Sequence, residues 1–467
     1  MPDEKLFAGG RVRELRQRHA MTQAGLARDL GISPSYLNQI EHDRRPLTPS
    51  VLHRIVELLA VSPDALLADG RARLVAELED AATDALEGDP LGPGELRDLV
   101  ARAPRVARAL VVLHRKHRAA VEQAAVLAGD GRSTPYEEVR DFFFDRDNYV
   151  DQLDRAGERL ADDEGVEPGR ARSLLAGRLS RRHGVEVRED ERGAPGGMMR
   201  TFDAEARVLH LAPELRPAQQ AFQMATQLAY LEHRGLLDDL VARGRFGGGE
   251  ALSLARIGLA NYFAGAVLMP YKRFRSAADE ARHDVEQLSS HFDAGFESVC
   301  HRLSTLQRPE ARGVPFAFVR VDRAGNMSKR QTASSFHLSR IGGTCPLWVV
   351  FEAFSEPGRV FRQVAEMPDG RRYLWIARAV RSGQGGFGRP GKTFAVGLGC
   401  ELQHARRLVY GDGLDLTDRG SAMPIGPGCK VCDRPSCPQR AFPAIGRPLL
   451  VDEATASFAP YAAVIPP

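Results

Sequence analysis

Three of the chain's six cysteines crowd into nine positions, Cys429-x2-Cys432-x4-Cys437, entered through Gly426-Pro427-Gly428 and left through Pro438. Thiols this close suit a metal better than a disulfide scaffold. With Cys400 upstream they number four, enough for a zinc tetrahedron or an iron–sulfur cluster, and the two-residue gap fits both. Cys300, in a helical pattern, and Cys345, beside Pro346, read as buried bystanders. A second set of residues suits DNA. In MTQAGLARDLGISPSYLNQIEHDRR one helix runs from Gln23 to Leu30 and stops at Gly31, and another starts at Pro34. Leu26, Ala27, Ile32, Leu37 and Ile40 supply an apolar interior, which leaves Ser35, Tyr36, Asn38 and Gln39 outside, with Gln23 and Ser33 at the helix starts. Amides and hydroxyls in those places can read base edges in a major groove. Arg44 and Arg45, with Arg11, Arg13, Arg16 and Arg18, supply positive charge for phosphates.

The elements that must hold these groups follow from periodicity. Leu6 to Leu67 alternates short apolar bursts with polar breaks, which predicts four or five compact helices and a self-contained domain over residues 1–70. Thr22 can cap one helix, and Ser33-Pro34, Thr48-Pro49 and Ser62-Pro63 each set an N-cap oxygen before a proline. Residues 71–165 read as a helical connecting and dimerisation region, broken at Gly88 to Gly94 and at Pro104, with a last helix from Pro135. Residues 166–308 read as α+β: a helix over 170–183, the alternating segments VEVRED and RVLHLAP, then helices near 217–234, 250–268 and 272–306. Residues 309–467 read as β-rich, with strands in PFAFVRVD, LWVVFEAF, RVFRQVAE and RRYLWIARAV before the cysteines. The fold class is multidomain α+β.

Bulk properties exclude more than they select. The length of 467 residues implies two to four domains, and 43% hydrophobic with 27% charged residues excludes a disordered or collagenous chain. The net charge of +3 decides nothing, since residues 1–70 hold nine basic and nine acidic side chains. No apolar run approaches the roughly 18 residues of a membrane span. The charged N-terminus lacks the apolar core of a signal peptide, so the expected location is cytoplasmic, with no membrane partner.

Three resemblances sharpen this. Gln23, the LARDLGIS turn, the run Ser35 to Glu41 and the following arginines resemble the Cro/phage-repressor-type helix-turn-helix of the XRE family. The likeness implies a homodimer on an inverted-repeat, double-stranded DNA operator, its recognition helices about 34 Å apart. AFQMATQLAYLEHRGLLDDL with ANYFAGAVLMPYKRF resembles an ImmA/IrrE-like metallopeptidase whose helical HExxH has been lost. Thr226, Gln227 and Tyr230 occupy that motif, and Leu259 stands where the third ligand would be, so no metal ligand and no carboxylate base survive. The chain therefore reads as a non-enzyme. Tyr230, Asn261, Tyr262, Tyr271, Lys272 and Arg273 could line a retained pocket. The order of parts, together with GNMSKRQ, FHLSRIGGTCPLW and GCELQHA…GPGCKVCDRPSCPQRAFP, is similar to the short-chain fatty acyl transcriptional regulators, the PrpR/RamB-like group. That resemblance implies a regulator of propionate- or acetate-type metabolism with a short-chain acyl-CoA effector. It also implies a [4Fe-4S] cluster on Cys400, Cys429, Cys432 and Cys437, and phosphate-binding roles for Lys329, Arg330, His337 and Arg340. The competing reading is a stress-response regulator whose peptidase-like domain binds a protein and whose cysteines hold structural zinc.

Overall fold

A computed structural model of the chain describes residues 9–19, 21–42, 44–58, 74–75, 77–79, 81–82, 91–127, 134–190, 198–334, 336, 344–382, 391–418, 420–432, 434, 437–440, 443 and 454. The chain divides into two compact units, Met1–Ala120 with Pro309–Ala311, and Val121–Arg308 with Arg312–Pro467.

The first unit opens with four helices, α1 (Gly9–Arg18), α2 (Gln23–Asp29), α3 (Pro34–Glu41) and α4 (Pro49–Leu58). Two expected caps form: Thr22 Oγ1 accepts the Gly25 N–H at 3.0 Å and Ser33 Oγ accepts the Tyr36 N–H at 3.1 Å, with Pro34 in the first turn. Ser62-Pro63 lies outside the described residues. Between α2 and α3 Gly31 takes φ +63°, a left-handed conformation that a β-carbon would strain, and this turns the chain sharply. Leu26, Ala27, Leu30, Leu37, Ile40, Val51 and Ile55 close the core. The helices α5 (Pro93–Arg102) and α6 (Pro104–Leu127) follow, and Leu96, Val100, Ala107 and Val111 form a smaller apolar cluster with Leu74 and Leu78.

The second unit begins with α7 (Pro135–Phe144) and α8 (Asp151–Asp163). These helices were expected to belong to the connector. Instead Phe142, Phe143, Leu153 and Leu160 share one core with the elements that follow, because both helices are amphipathic enough to need a partner face. Then come α9 (Ala171–His183), β1 (Glu186–Glu189), β2 (Arg200–Asp203), β3 (Val208–Leu211), α10 (Pro217–Glu232), α11 (Arg234–Ala242) and α12 (Gly249–Leu268). The three strands form a mixed sheet in the order β1-β3-β2. By length and apolarity α12 could span a membrane, which corrects the expectation that no segment approaches this. Ala255, Leu259, Ala260, Phe263, Ala264 and Val267 bury it in the protein core instead. The helix expected over 272–306 is three: α13 (Tyr271–Glu280), α14 (Val285–His291) and α15 (Phe296–Ser304). Asp284 causes one break, its carboxylate accepting the Glu286 and Gln287 N–H groups as an N-cap.

The C-terminal sheet has six strands in the order β5-β4-β8-β7-β6-β9: β4 (Ala317–Val321), β5 (Met327–Thr332), β6 (Phe361–Glu366), β7 (Arg372–Ser382), β8 (Lys392–Glu401) and β9 (Met423–Pro424). Of the four segments expected as strands, LWVVFEAF is helical at α16 (Val349–Glu352). Gln363 Oε1 accepts the Val349 N–H at 3.1 Å and starts the turn, and burial of Val349 and Val350 outweighs their β preference. Trp348, Trp375, Tyr373 and Phe336 form the aromatic centre on one side of the sheet, with the two indoles edge to face at 4.8 Å.

Candidate functional site

On α3 the residues expected to read DNA are outward or half-exposed: Ser35 and Asn38 exposed, Tyr36 and Gln39 partly so, followed by exposed Arg44 and Arg45. Arg45 lies over the Tyr36 ring at 5.5 Å. The face is braced from behind. Arg16 grips the buried Glu41 carboxylate with two bonds of 2.6 and 3.0 Å, and Gln23 Nε2 donates to Glu41 Oε2 at 2.9 Å and to Asn38 Oδ1 at 3.3 Å. Gln23 thus positions Asn38, Ser33 spends its hydroxyl on the cap, and Arg16 serves the fold rather than phosphate. Replacing Gln39 by Ala should relax base preference at one operator position by about 1–3 kcal/mol. Arg44→Ala should weaken all duplexes alike and lower the salt slope by about one. Anisotropy titrations on operator and scrambled duplexes at several salt concentrations separate the two, and an unchanged specificity ratio for Gln39→Ala removes its base-reading role.

The peptidase-like site is packed shut. Thr226 and Gln227 are buried on α10, the Thr226 hydroxyl donating to Phe222 O at 2.8 Å, and Leu259 on α12 is fully buried. Tyr230 is half-buried beneath Arg200, whose guanidinium lies 5.5 Å from its ring centre.

Tyr262 and Tyr271, expected in a pocket, are 3% and 0% exposed and belong to a buried polar network. Its centre is Asp154, whose carboxylate accepts Tyr262 Oη at 2.7 Å, Arg302 Nη1 at 2.7 Å and Arg308 Nη2 at 3.3 Å. Arg308 also reaches Glu158 at 2.7 Å and Tyr149 at 2.9 Å, while the Tyr271 hydroxyl accepts the Arg308 N–H at 2.9 Å. Burial, reinforced by Asp154, raises the Tyr262 phenol well above its usual range, so it stays a protonated donor. The pocket reading fails for both tyrosines because their hydroxyls are already spent. Lys272 is exposed and lines a surface cleft with Arg155, Arg159 and Arg273, opposed by Glu158 and Asp162. Lys329 on β5 is paired with Glu297 at 2.8 Å. Arg330, its neighbour on the strand, points to the opposite side, so the two cannot grip one phosphate from the same face. His337 and Arg340 lie outside the described residues.

The cysteines are not grouped as expected. Cys400 on β8 is fully buried and pairs in register with Leu374, so its side chain shares that residue's side of the sheet. The opposite side carries Tyr373 and Trp375 and packs against Trp348, Ile425 and Cys345. The sheet therefore separates Cys400 from Cys345, and the expectation that Cys400 joins the other three is corrected. Cys345 stands by the C-terminal loop: its thiol accepts the Gly426 N–H, and burial, with Cys432 and Cys437 nearby, raises its pKa. Gly426 is pressed on Cys432 so closely that a β-carbon there would fall 2.6 Å from Cys432 Sγ. Buried Arg440 ties the loop by donating to Cys429 O at 3.3 Å, Cys432 O at 3.0 Å and Arg434 O at 2.6 Å. Arg434 anchors it to the sheet through Glu366 O at 2.6 Å. Among the described residues no three metal-ligating side chains enclose a single ion. The donor set, four thiols with two of them on one glycine, nevertheless fits a thiolate-bound group. Two buried indole N–H groups on the same side, Trp348 Nε1 and Trp375 Nε1, have no acceptor among the described residues.

A braced, outward-facing recognition helix joined to a peptidase-like domain defines a helix-turn-helix transcriptional regulator. Comparison with known proteins agrees. A family described as "Helix-turn-helix domain" matches residues 8–69, one described as "IrrE N-terminal-like domain" matches 180–304, and "Short-chain fatty acyl coenzyme A regulator, C-terminal" matches 305–461. The HTH-type transcriptional regulator RamB of Mycobacterium tuberculosis (strain ATCC 25618 / H37Rv) is 48% identical, covering 98% of each chain. PrpR of the same strain is 47% identical, covering 98% of this chain and 96% of its own. The propionyl-CoA carboxylase regulator of Cereibacter sphaeroides is 42% identical, covering 98% and 99%. A solved Mycobacterium tuberculosis transcriptional regulator superposes with TM-score 0.68 at 51% identity, covering 70% of this chain and 99% of that one. The chain belongs to the RamB/PrpR family of short-chain fatty acyl-CoA regulators.

Proposed function

We propose that this regulator is a homodimer whose operator occupancy is set by a short-chain acyl-CoA bound in the second unit, with a [4Fe-4S] cluster on its C-terminal cysteines. The observation that carries the reading is the union, in one chain, of an outward recognition helix with a peptidase-like core whose catalytic positions are filled by Thr226, Gln227, Tyr230 and Leu259. Such a domain can still sense a ligand. The cleft bearing Arg155, Arg159, Lys272 and Arg273 offers the cations that the phosphates of coenzyme A require. Val106, Leu110 and Leu113 are exposed on α6 at helical spacing, an apolar stripe that suits a second copy. A thioester that binds one arrangement of the dimer a hundredfold better than another supplies about 2.7 kcal/mol, enough to alter operator occupancy. The cluster, when bound, supplies either a fixed loop geometry or a group that oxidation can dismantle.

The test is an oxygen-free titration of the full chain against an inverted-repeat operator with acetyl-CoA, propionyl-CoA or free coenzyme A. At least a tenfold change in affinity with a thioester, and little with free coenzyme A, is expected. Unchanged affinity and unchanged melting temperature with every thioester overturns the reading and favours the protein-partner alternative. Iron and acid-labile sulfide in the same sample support the cluster, and stoichiometric zinc without iron overturns it.

A further inference from the structure

We propose that the outer edge of β2, with Arg200 beside it, binds an extended acidic segment of a partner protein. The site shares no residue with the cleft of Arg155, Arg159, Lys272 and Arg273, so it stands or falls apart from the thioester reading. Sheet topology supplies the edge. In the order β1-β3-β2 the last strand is paired on one side only. Met199 O accepts the Ala212 N–H at 3.2 Å, and in an antiparallel pair such bonds alternate, so Thr201 and Asp203 spend their backbone groups on β3. Arg200 and Phe202 therefore turn N–H and C=O outward, where no described backbone group meets them. An unpaired edge of this kind accepts an added strand through main-chain bonds.

Charge says which strand. Side chains alternate, so Arg200 and Phe202 share the face of the sheet that packs on α10, where Phe202 and Tyr230 both lie against the core. The half-buried Arg200 guanidinium donates to Gln223 O at 3.3 Å and to the Tyr230 hydroxyl. Both partners are neutral, and among the described residues no carboxylate counters the charge. Burial without a counter-charge is costly and lowers the Arg200 pKa. The surroundings add to the excess: Arg234 and Arg256, which also act on Tyr230, share one carboxylate, Asp238. An antiparallel segment laid on the edge sets one residue opposite Arg200 and the residue two before it opposite Phe202, both on the α10 face. Glutamate in the first place supplies the missing charge, and valine in the second covers Phe202. Met198 and Met199, each more than half exposed, lead into the strand and give an adaptable apolar surface at its start.

The experiment titrates the full chain into fluorescein-Thr-Val-Thr-Glu-Thr-amide and reads anisotropy. We expect saturable binding with a dissociation constant below about 1 mM. Gln in place of the peptide's Glu should weaken it about tenfold, the ordinary worth of a charge-assisted bond. Arg200→Gln should bind the Glu and Gln peptides alike, with circular dichroism confirming its fold. Two further peptides need no protein variant and test the strand pairing itself. Methylating the Glu amide nitrogen, whose N–H points at Arg200 O in this register, should abolish binding. Methylating the amide of the Thr just before it, whose N–H points away, should change affinity less than twofold. Absence of saturable binding overturns the proposal. Equal affinity of wild type for the Glu and Gln peptides overturns it as well, and so do equal effects of the two methyl groups. If Arg200→Gln fails to fold, the peptide series on wild type decides alone.

Discussion

Asp154→Ala is expected to destabilise the second unit by about 3–5 kcal/mol, a large part of the stability of an ordinary domain. The carboxylate is fully buried and is shared by Tyr262, Arg302 and Arg308, with Arg302 held by Met269 O on its other edge at 2.8 Å. Counting Glu158, two carboxylates face two guanidinium groups, so the network is neutral as built. Removing one carboxylate leaves a buried positive charge without a partner and a tyrosine hydroxyl without its acceptor, and these desolvation costs exceed the loss of the bonds themselves. The effect spreads because the network joins α8 and α12 to α15 and to the segment entering the C-terminal sheet. Asp154→Asn, which keeps one acceptor oxygen, should cost less. Removing charge from both sides in Asp154→Leu/Arg302→Met should recover part of the loss, since an apolar replacement strands fewer charges. Urea unfolding of the three variants, followed by tryptophan fluorescence from Trp348 and Trp375, checks this. A cost below about 1 kcal/mol for Asp154→Ala would show that water reaches the site.

That network was illegible in the sequence. Asp154 is 148 residues from Arg302 and 154 from Arg308, and nothing in their local patterns distinguishes them from solvated charges on helix faces. Tyr262 and Tyr271 were visible as notable residues, yet helical spacing cannot tell a tyrosine whose hydroxyl faces a cavity from one whose hydroxyl meets a buried carboxylate. Local chemistry read well where it was self-contained. The Thr22 and Ser33 caps, the stop at Gly31 and the outward placement of Ser35 and Asn38 on α3 each depend on a few adjacent residues. The Val-Val-Phe run at α16 was read as a strand because β preference is local, while its helical outcome depends on Gln363 from β6. The sequence groups Cys400 with the loop cysteines as a fourth thiol upstream of them and through the family resemblance, with Cys345 set aside as a buried bystander. Only strand register shows on which side of the sheet it falls.

Glu41→Ala should abolish operator binding without touching a residue that faces the duplex. Glu41 is 4% exposed, and its two oxygens serve three donors: Arg16 Nε at 2.6 Å, Arg16 Nη2 at 3.0 Å and Gln23 Nε2 at 2.9 Å. Through them α1, α2 and α3 are tied at one point, and Arg16 also reaches Met21 O at 3.0 Å in the turn between the first two. The hydrogen bonds that Arg16 donates to Glu41 raise the Arg16 pKa. Without the carboxylate the Arg16 and Gln23 donors lose their acceptor, and Asn38 loses the brace behind it. The cost of about 2–3 kcal/mol falls on a small helical core with little stability to spare. Glu41→Gln keeps an acceptor and should lose less, whereas Arg44→Ala should lose phosphate contact with its fold unchanged. Thermal unfolding by circular dichroism, read beside anisotropy on the operator, separates these outcomes. If Glu41→Ala kept wild-type melting and lost only affinity, Glu41 would belong to the duplex contact and not to the brace behind it.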